Sequence, residues 1–399
     1  MLGSFFSAVA HNNLIMKCLI MTIMQVYVSF GEVVDKITIL ELKIAKICDE
    51  TKRETARTEL GLLTASFGSG RMEKIERFKC ALKHINELLW EVEDDLRGYE
   101  MRGECASQQF VQRAREVYFL NDRRAAIKRC IDDTLVSIVR EVKSYTDYQS
   151  QPVFVLSHLG MGDQIIMSGL IRYLALFHKS VVFVAKRAHA NTITFMYRDI
   201  STNIKPIYVD SDADISPAFG SDDNIIDNYR TAGYKILLFG QHVGIEQWTT
   251  VVASSRDFAE AFYKQVGIYY DVRWNHFFLL RDAVAEERLA ARVKPAEPYA
   301  FVHGDVTRNM CISDAGITLS IVRPAGLGPD APLLFDYLSI IEHAAEIHCI
   351  DSCFALMIDA MGFDIPGQKK YLHTYAKGGQ PYKKLYKTEW IFVDAPTTN

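Results

Sequence analysis

The stretch Ser157–Asp163, SHLGMGD, places Gly160 and Gly162 directly ahead of a carboxylate, Asp163. Glycines there let the backbone approach a ligand closely or take a positive φ. The loop is neither the G-x-G-x-x-G dinucleotide fingerprint nor a P-loop, because it lacks the third glycine and a following GK[ST]. Asp163 falls where a helix begins, so one reading is a carboxylate stabilised by first-turn amides. The other is a general base that takes the proton of a hydroxyl attacking an anomeric carbon. His158, before the glycines, and His242, after a later apolar run, are candidate contacts on the same acceptor side.

A second constellation lies nearer the C-terminus. It comprises His303, Asp305 and Arg308 in VHGDVTR, Arg323 in IVRPAG, and Asp351 and Ser352 in HCIDSCF. Asp351 or Ser352 opens a helix, and amides there, with the Ser352 hydroxyl, suit a diphosphate. Arg308 suits the charge of a leaving nucleoside diphosphate. Turns and caps around two buried strands are the structural alternative. Glu342 is a candidate ribose contact, and His373, between Tyr371 and Tyr375, a candidate sugar contact. Lysines 369, 370, 377, 383, 384 and 387 face anionic lipid, a lipid-diphosphate acceptor or solvent. Asp210, Asp212 and Asp214 form DSDAD but are not placed as a metal site. The eight cysteines contain no CxxC pair, so free thiols in a reducing compartment are expected and zinc is not, and the incomplete glycine pattern leaves no cofactor expected.

Parallel strands separated by helices must position these groups. Short apolar runs begin after Gln149: PVFVLSHLG, SVVFVAK (Ser180–Lys186), IKPIYVD (Ile204–Asp210) and YKILLFG (Tyr234–Gly240). Helical stretches separate them, notably Ile165–Phe177, Ala188–Met196 and Arg256–Val266. A second series comprises Tyr299–Asp305, Gly316–Gly326, Glu346–Ile350, Lys369–Lys377 and Glu389–Ala395, with helices at Leu333–His343 and Ser352–Met361. The pattern predicts two parallel α/β units whose ligands sit outside the carboxyl ends of the strands.

Gly31–Tyr145 reads as helical. Ile37, Leu40, Ile44 and Ile47 make one apolar stripe, Met72–Met101 carries a second, and Ala106–Tyr145 a third. Such helices must bury their stripes, which predicts a helical hairpin or coiled coil and a route to a homo-oligomer. Leu14–Met24, interrupted by Lys17, is short for a membrane span. The expected division is a leader or short strand at 1–30, a helical domain at 31–148, an acceptor-side Rossmann-like domain at 149–275 and a nucleotide-sugar-binding Rossmann-like domain at 276–399. A net charge of -4 over 399 residues argues against a nucleic-acid partner. The expected location is cytoplasmic, or peripheral at the inner face of the membrane.

Several stretches carry resemblances. VSFGEVVDKITILELK (Val28–Lys43), LLWEVEDDLRGYE (Leu88–Glu100) and VYFLNDRRAAIKRCIDD (Val117–Asp133) resemble a helical domain of uncharacterised bacterial proteins that often accompanies sugar-transfer enzymes. LGMGDQIIMSGLIRYL (Leu159–Leu174) resembles the first motif of the heptosyltransferase-like GT-B enzymes, whose glycine-aspartate pair matches Gly162 and Asp163. His158 stands where that family has an arginine. IIEHAAEIHCIDSCFALMIDAM (Ile340–Met361) resembles the donor-side segment of related GT-B proteins, with Asp351 and Ser352 beside the donor phosphates. The resemblance implies a GT-B fold, Asp163 as base, and metal-independent, inverting transfer from a nucleoside-diphosphate sugar to a glycan or lipid-linked saccharide. A sugar-nucleotide epimerase or hydrolase of similar fold, and a non-catalytic assembly protein with a degenerate glycosyltransferase fold, remain as alternatives.

Overall fold

The computed structural model describes residues 26–142, 151–215, 225–305, 309–325, 331–375 and 386–394. Most of the 1–30 leader, Arg308, and lysines 377, 383 and 384 lie outside the described residues.

The N-terminal region contains α1 (Phe30–Lys46), α2 (Glu50–Phe67), α3 (Ser69–Arg102) and α4 (Gln108–Thr134). Ser29 caps α1 by accepting from the Glu32 amide, and Asp49 caps α2 by accepting from the Lys52 amide. The sequence pattern predicts three helices here, and α2 is the addition. It buries only Ala56 and Phe67, so no apolar stripe announces it. The last helix stops at Thr134 instead of continuing to Tyr145. Val136 takes a φ of 53°, and the Ser137 amide bonds the Asp132 carbonyl at 2.8 Å, closing the turn.

Two compact units divide the chain. The first gathers residues up to Glu87 with Asn121–Tyr145; the second joins Leu88–Leu120 to Thr146–Asn399. In the first, buried Asp35 accepts from Arg124 Nε at 2.8 Å and from Asn86 Nδ2 at 2.9 Å, tying α1 to α3 and α4. In the second, fully buried Glu116 accepts from the hydroxyls of Tyr173 at 3.0 Å and Tyr269 at 2.9 Å, while Arg113 donates to its other oxygen at 2.9 Å. Burial raises the Glu116 carboxyl, and Arg113 opposes that rise.

The second unit holds two wholly parallel sheets. β1 (Val153–Leu156), β2 (Val181–Lys186), β3 (Ile204–Val209) and β4 (Lys235–Leu238) make the first, in the order β3-β2-β1-β4. β5 (Tyr299–His303), β6 (Ser320–Val322), β7 (Glu346–Cys349), β8 (Lys369–His373) and β9 (Ile391–Val393) make the second, in the order β6-β5-β7-β8-β9. β1 and β2 are continuous apolar runs because both faces of the sheet are covered. A helical region is thus followed by two parallel-sheet α/β domains, as the sequence pattern predicts.

Strand order reverses direction between β1 and β4 in the first sheet and between β5 and β7 in the second. Such switch points leave a crevice at the strands' carboxyl ends. The helix after β1, α5 (Met161–Phe177), is apolar almost all round and is buried from Gln164 to Leu176. α6 (Ala190–Met196), α7 (Ile225–Thr231), α8 (Ile245–Ala253), α9 (Phe258–Lys264), α10 (Val272–Asn275) and α11 (Ala283–Val293) follow. α12 (Leu338–Glu342), preceded by a 3-10 turn at Leu334–Tyr337, and α13 (Cys353–Ala360) complete the second half. The expected strand Gly316–Gly326 contributes only β6, since Pro324 has no amide hydrogen to extend it. No described helix is long and apolar enough to cross a membrane.

Candidate active site

At the first switch point, β1 runs into His158 and β4 into Gly240. Gly240 has a φ of 64°, and a Cβ there would lie 2.2 Å from His158 Nε2, so only glycine fits beside that ring. The Gln241 amide donates to His158 Nε2 at 3.3 Å. The imidazole also lies among the rings of Trp248, Phe258 and Phe262, with centroids 5.7, 5.5 and 5.3 Å away. Burial in this apolar cage, and then the neighbouring His242, push the His158 pKa down to about 4.

The glycine loop follows. Asp163 sits in the first turn of α5, whose N-cap is Gly160. A Cβ at Gly160 would meet Asp163 Oδ2 at 2.7 Å, so the carboxylate folds back over the start of its own helix. A Cβ at Gly162 would meet Leu356 Cδ1 at 3.0 Å and the Cys353 amide nitrogen at 4.0 Å. The loop of the first sheet therefore touches the first turns of α13 in the second. Gln164 went unnoticed in the sequence. Wholly buried, it donates to the His158 carbonyl at 3.1 Å and the Val184 carbonyl at 3.3 Å, pinning the loop to β2. A lone amide on an apolar helix face was the available signal.

At the second switch point His303 ends β5 and Ser352 occupies the N-cap of α13. Their Nδ1 and Oγ lie 3.0 Å apart, and the imidazole lies over Phe354 at a centroid distance of 4.4 Å. The Ser352 hydroxyl makes no cap bond to its own helix. The direction of this bond follows the tautomer of the His303 ring, since a hydroxyl can donate or accept. Gly304 admits the return of the chain, because a Cβ there would lie 2.7 Å from the Met310 carbonyl oxygen. The Asp305 amide then donates to the Met310 carbonyl at 2.7 Å and the Met310 amide to the Asp305 carbonyl at 2.8 Å. Asp351 accepts from the Tyr386 hydroxyl at 2.9 Å, and burial raises that phenol well above its usual range. Arg323 forms an ion pair with Asp314.

Between the two sheets lies a cleft of about 1270 Å³. It brings together His158, Gly160, Gly162, Asp163, His303, Asp305, Arg323, Asp351 and Ser352. His189, Thr192, Phe258 and Tyr337 also line it and were not singled out in the sequence. His189 and Thr192 follow the carboxyl end of β2, a position the switch-point rule favours. His242 is not among the lining residues; its ring centre lies 6.2 Å from that of His158. Glu342 and His373 also stand off the cleft. Arg281 holds the Glu342 carboxylate at 2.7 Å, and His373 is buried against His348 Nδ1 at 3.0 Å and the Tyr375 hydroxyl at 3.2 Å. In DSDAD, Asp210 pairs with Arg187 and Asp212 with Lys186, while Asp214 accepts from the Ser211 amide. No group of three or more His, Cys, Asp or Glu side chains among the described residues could hold a metal ion.

Residues 24–162 match DUF6165, a family of unknown function. The match spans the helical region and runs through β1 into the glycine loop. No curated protein matches the chain. Solved structures to which parts of the chain are similar include the glycosyl transferase family 9 structure from Veillonella parvula. It is 9% identical, with a TM-score of 0.39 over 63% of this chain and 87% of that one. The E. coli heptosyltransferase WaaC with ADP-2-deoxy-2-fluoro heptose is 11% identical, with a TM-score of 0.35 over 61% of this chain and 93% of its own. The same enzyme with ADP gives 13% identity and a TM-score of 0.33 over the same shares, 61% and 93%.

Proposed function

We propose that the chain is a glycosyltransferase that moves a sugar from a nucleoside-diphosphate donor to a saccharide hydroxyl, with inversion. The observation that carries this reading is the meeting of the two switch points. Through Gly162, the loop bearing Asp163 packs against the Cys353 amide and Leu356 at the start of α13. A carboxylate on one wall thus stands close to a helix N-terminus on the other, within one cleft.

The chemistry divides between the walls. First-turn amides of α13, with Ser352, hold the donor's diphosphate, and His303 lies beside them. Asp163 accepts the proton of the acceptor hydroxyl as that oxygen bonds the anomeric carbon. The bond from the anomeric carbon to the phosphate oxygen breaks, and its electron pair leaves with the nucleoside diphosphate. Arg323, which lines the second wall, is the described arginine nearest to hand for that charge.

Calorimetry against UDP-, GDP-, ADP- and CMP-sugars tests the donor half; binding of none of them would sink the reading. For the base, Asp163→Asn should retain donor affinity and lose about 10²- to 10⁴-fold in turnover. Full turnover in that variant would remove Asp163 from the chemistry.

A further inference from the structure

We infer that His158 is a specificity-determining residue, whose Nδ1–H donates to an oxygen of the acceptor saccharide other than the attacking hydroxyl. This rests on the transfer reading above and narrows how its acceptor is recognised.

The fold holds this imidazole before any ligand arrives. His158 follows β1, whose four residues are all buried, and Gln164 grips its carbonyl at 3.1 Å. Trp248, Phe258 and Phe262 surround the ring with centroids 5.3 to 5.7 Å away. A side chain fixed in this way loses little freedom when it binds. The missing Cβ of Gly240 makes room for one edge of the ring, since it would lie 2.2 Å from Nε2 and 2.5 Å from Cδ2. On that edge the Gln241 amide meets Nε2 at 3.3 Å. A backbone amide can only donate, so Nε2 is the accepting nitrogen and the neutral ring carries its proton on Nδ1. Burial keeps the ring neutral near pH 7. His242 adds to that effect, and Asp212, itself paired with Lys186 at 2.9 Å, opposes it.

With Nε2 committed to Gln241, the side chain can offer a ligand only a donor. Half-buried His158 lines the cleft, and Nδ1 is not among the sealed polar atoms. Its partner must bring a lone pair, as a sugar oxygen does. Asp163, on the far side of Gly160 and Gly162, has the complementary character of an acceptor. The loop thus presents a donor and an acceptor to one saccharide, each fitted to a different oxygen. A sugar lacking the oxygen opposite His158 would leave a desolvated N–H without a partner, and that loss discriminates between substrates. Phe258 both packs on the imidazole and lines the cleft, which suits the carbon-bound face of the same sugar ring.

The test uses NMR on the full chain labelled with nitrogen-15 at histidine. The His158 signals are assigned by their loss in His158→Phe and in His158→Asn. Near pH 7, Nδ1 should resonate as a protonated ring nitrogen and Nε2 as an unprotonated one. The probes are the methyl glycosides of glucose, galactose, mannose and N-acetylglucosamine, each with its monodeoxy series. All are measured with and without the nucleoside diphosphate chosen by the donor panel. At least one parent glycoside should shift Nδ1, and one deoxy position should cost it about fivefold in affinity. That cost should vanish in His158→Phe, which keeps a ring in the cage. It should persist in His158→Asn, whose amide nitrogen takes the place of Nδ1. The reversed tautomer, a doubly protonated ring near pH 7, no shift of Nδ1 by any glycoside, no costly deoxy position, or a cost that survives in His158→Phe would overturn the inference. Tautomer and shift are read on the wild-type chain, so they decide even where a variant fails to fold. Failure of every nucleotide to bind while a glycoside still shifts Nδ1 would count against the transfer reading alone.

Discussion

Ser352 stands at the N-cap of α13, where a hydroxyl ordinarily accepts an amide proton of the first turn. Here it goes to His303 instead, across the switch point between β5 and β7. One bond thereby orients the histidine ring and leaves the first-turn amides of α13 without that cap. Ser352→Ala should lower the affinity for the cognate nucleoside diphosphate about fivefold, the equivalent of one hydrogen bond near 1 kcal/mol. Ser352→Thr, which keeps the hydroxyl, should recover most of it. Titration calorimetry decides this, and an unchanged isotherm for the alanine variant would detach the pair from ligand binding.

Helix α5 connects the site to the core, and its middle shows which of two opposing effects wins. Gly169 lies inside the helix, where alanine is intrinsically favoured by about 1 kcal/mol. A Cβ there would sit 2.4 Å from the Val272 carbonyl oxygen and 2.6 Å from that of Arg273, both backbone atoms of α10. Backbone cannot swing aside as a side chain can, so Gly169→Ala should destabilise by about 1–3 kcal/mol net. α10 also carries Trp274, whose indole donates to buried Asp359 at 2.7 Å, so the strain reaches α13. Melting temperature reads the sign: a rise would mean that α5 and α10 separate freely.

Across the whole molecule, buried histidines give a direction of pH dependence. His158 and His373 are lowered to about 4, by burial first and then by the charge of His242 and His348 respectively. Burial also lowers His178, His189, His242 and His348. Because these folded-state values lie below the ordinary value near 6.5, the unfolded chain takes up protons first. Their stability is present above about pH 6.5 and is lost as pH falls toward 4. Glu116, Asp257 and Asp336, raised mainly by burial, oppose this with the contrary sign. Urea midpoints should fall between pH 6.5 and 4, and His373→Gln should flatten that slope. A slope unaltered in the variant would show that His373 titrates alike in both states.

The amino-acid sequence by itself determined the local elements. Continuous apolar runs such as VFVL and VVFVAK can be covered on both faces only as inner parallel strands, and the glycines before Asp163 mark the turn into α5. It could not reveal α2, whose few buried residues leave no periodic stripe, nor the end of α4 at Thr134, set by a local turn. Tertiary structure alone decided which strand ends meet. It set Gly162 against the start of α13, placed Ser352 on His303, and took Glu342 and His373 to contacts away from the cleft. It also joined Leu88–Leu120 to the α/β part, where Arg113 and the two tyrosines surround Glu116. The physical reason is range. Periodicity and turn chemistry act over a few residues, whereas a site formed by Asp163 and Ser352 depends on how two sheets pack, which no local pattern encodes.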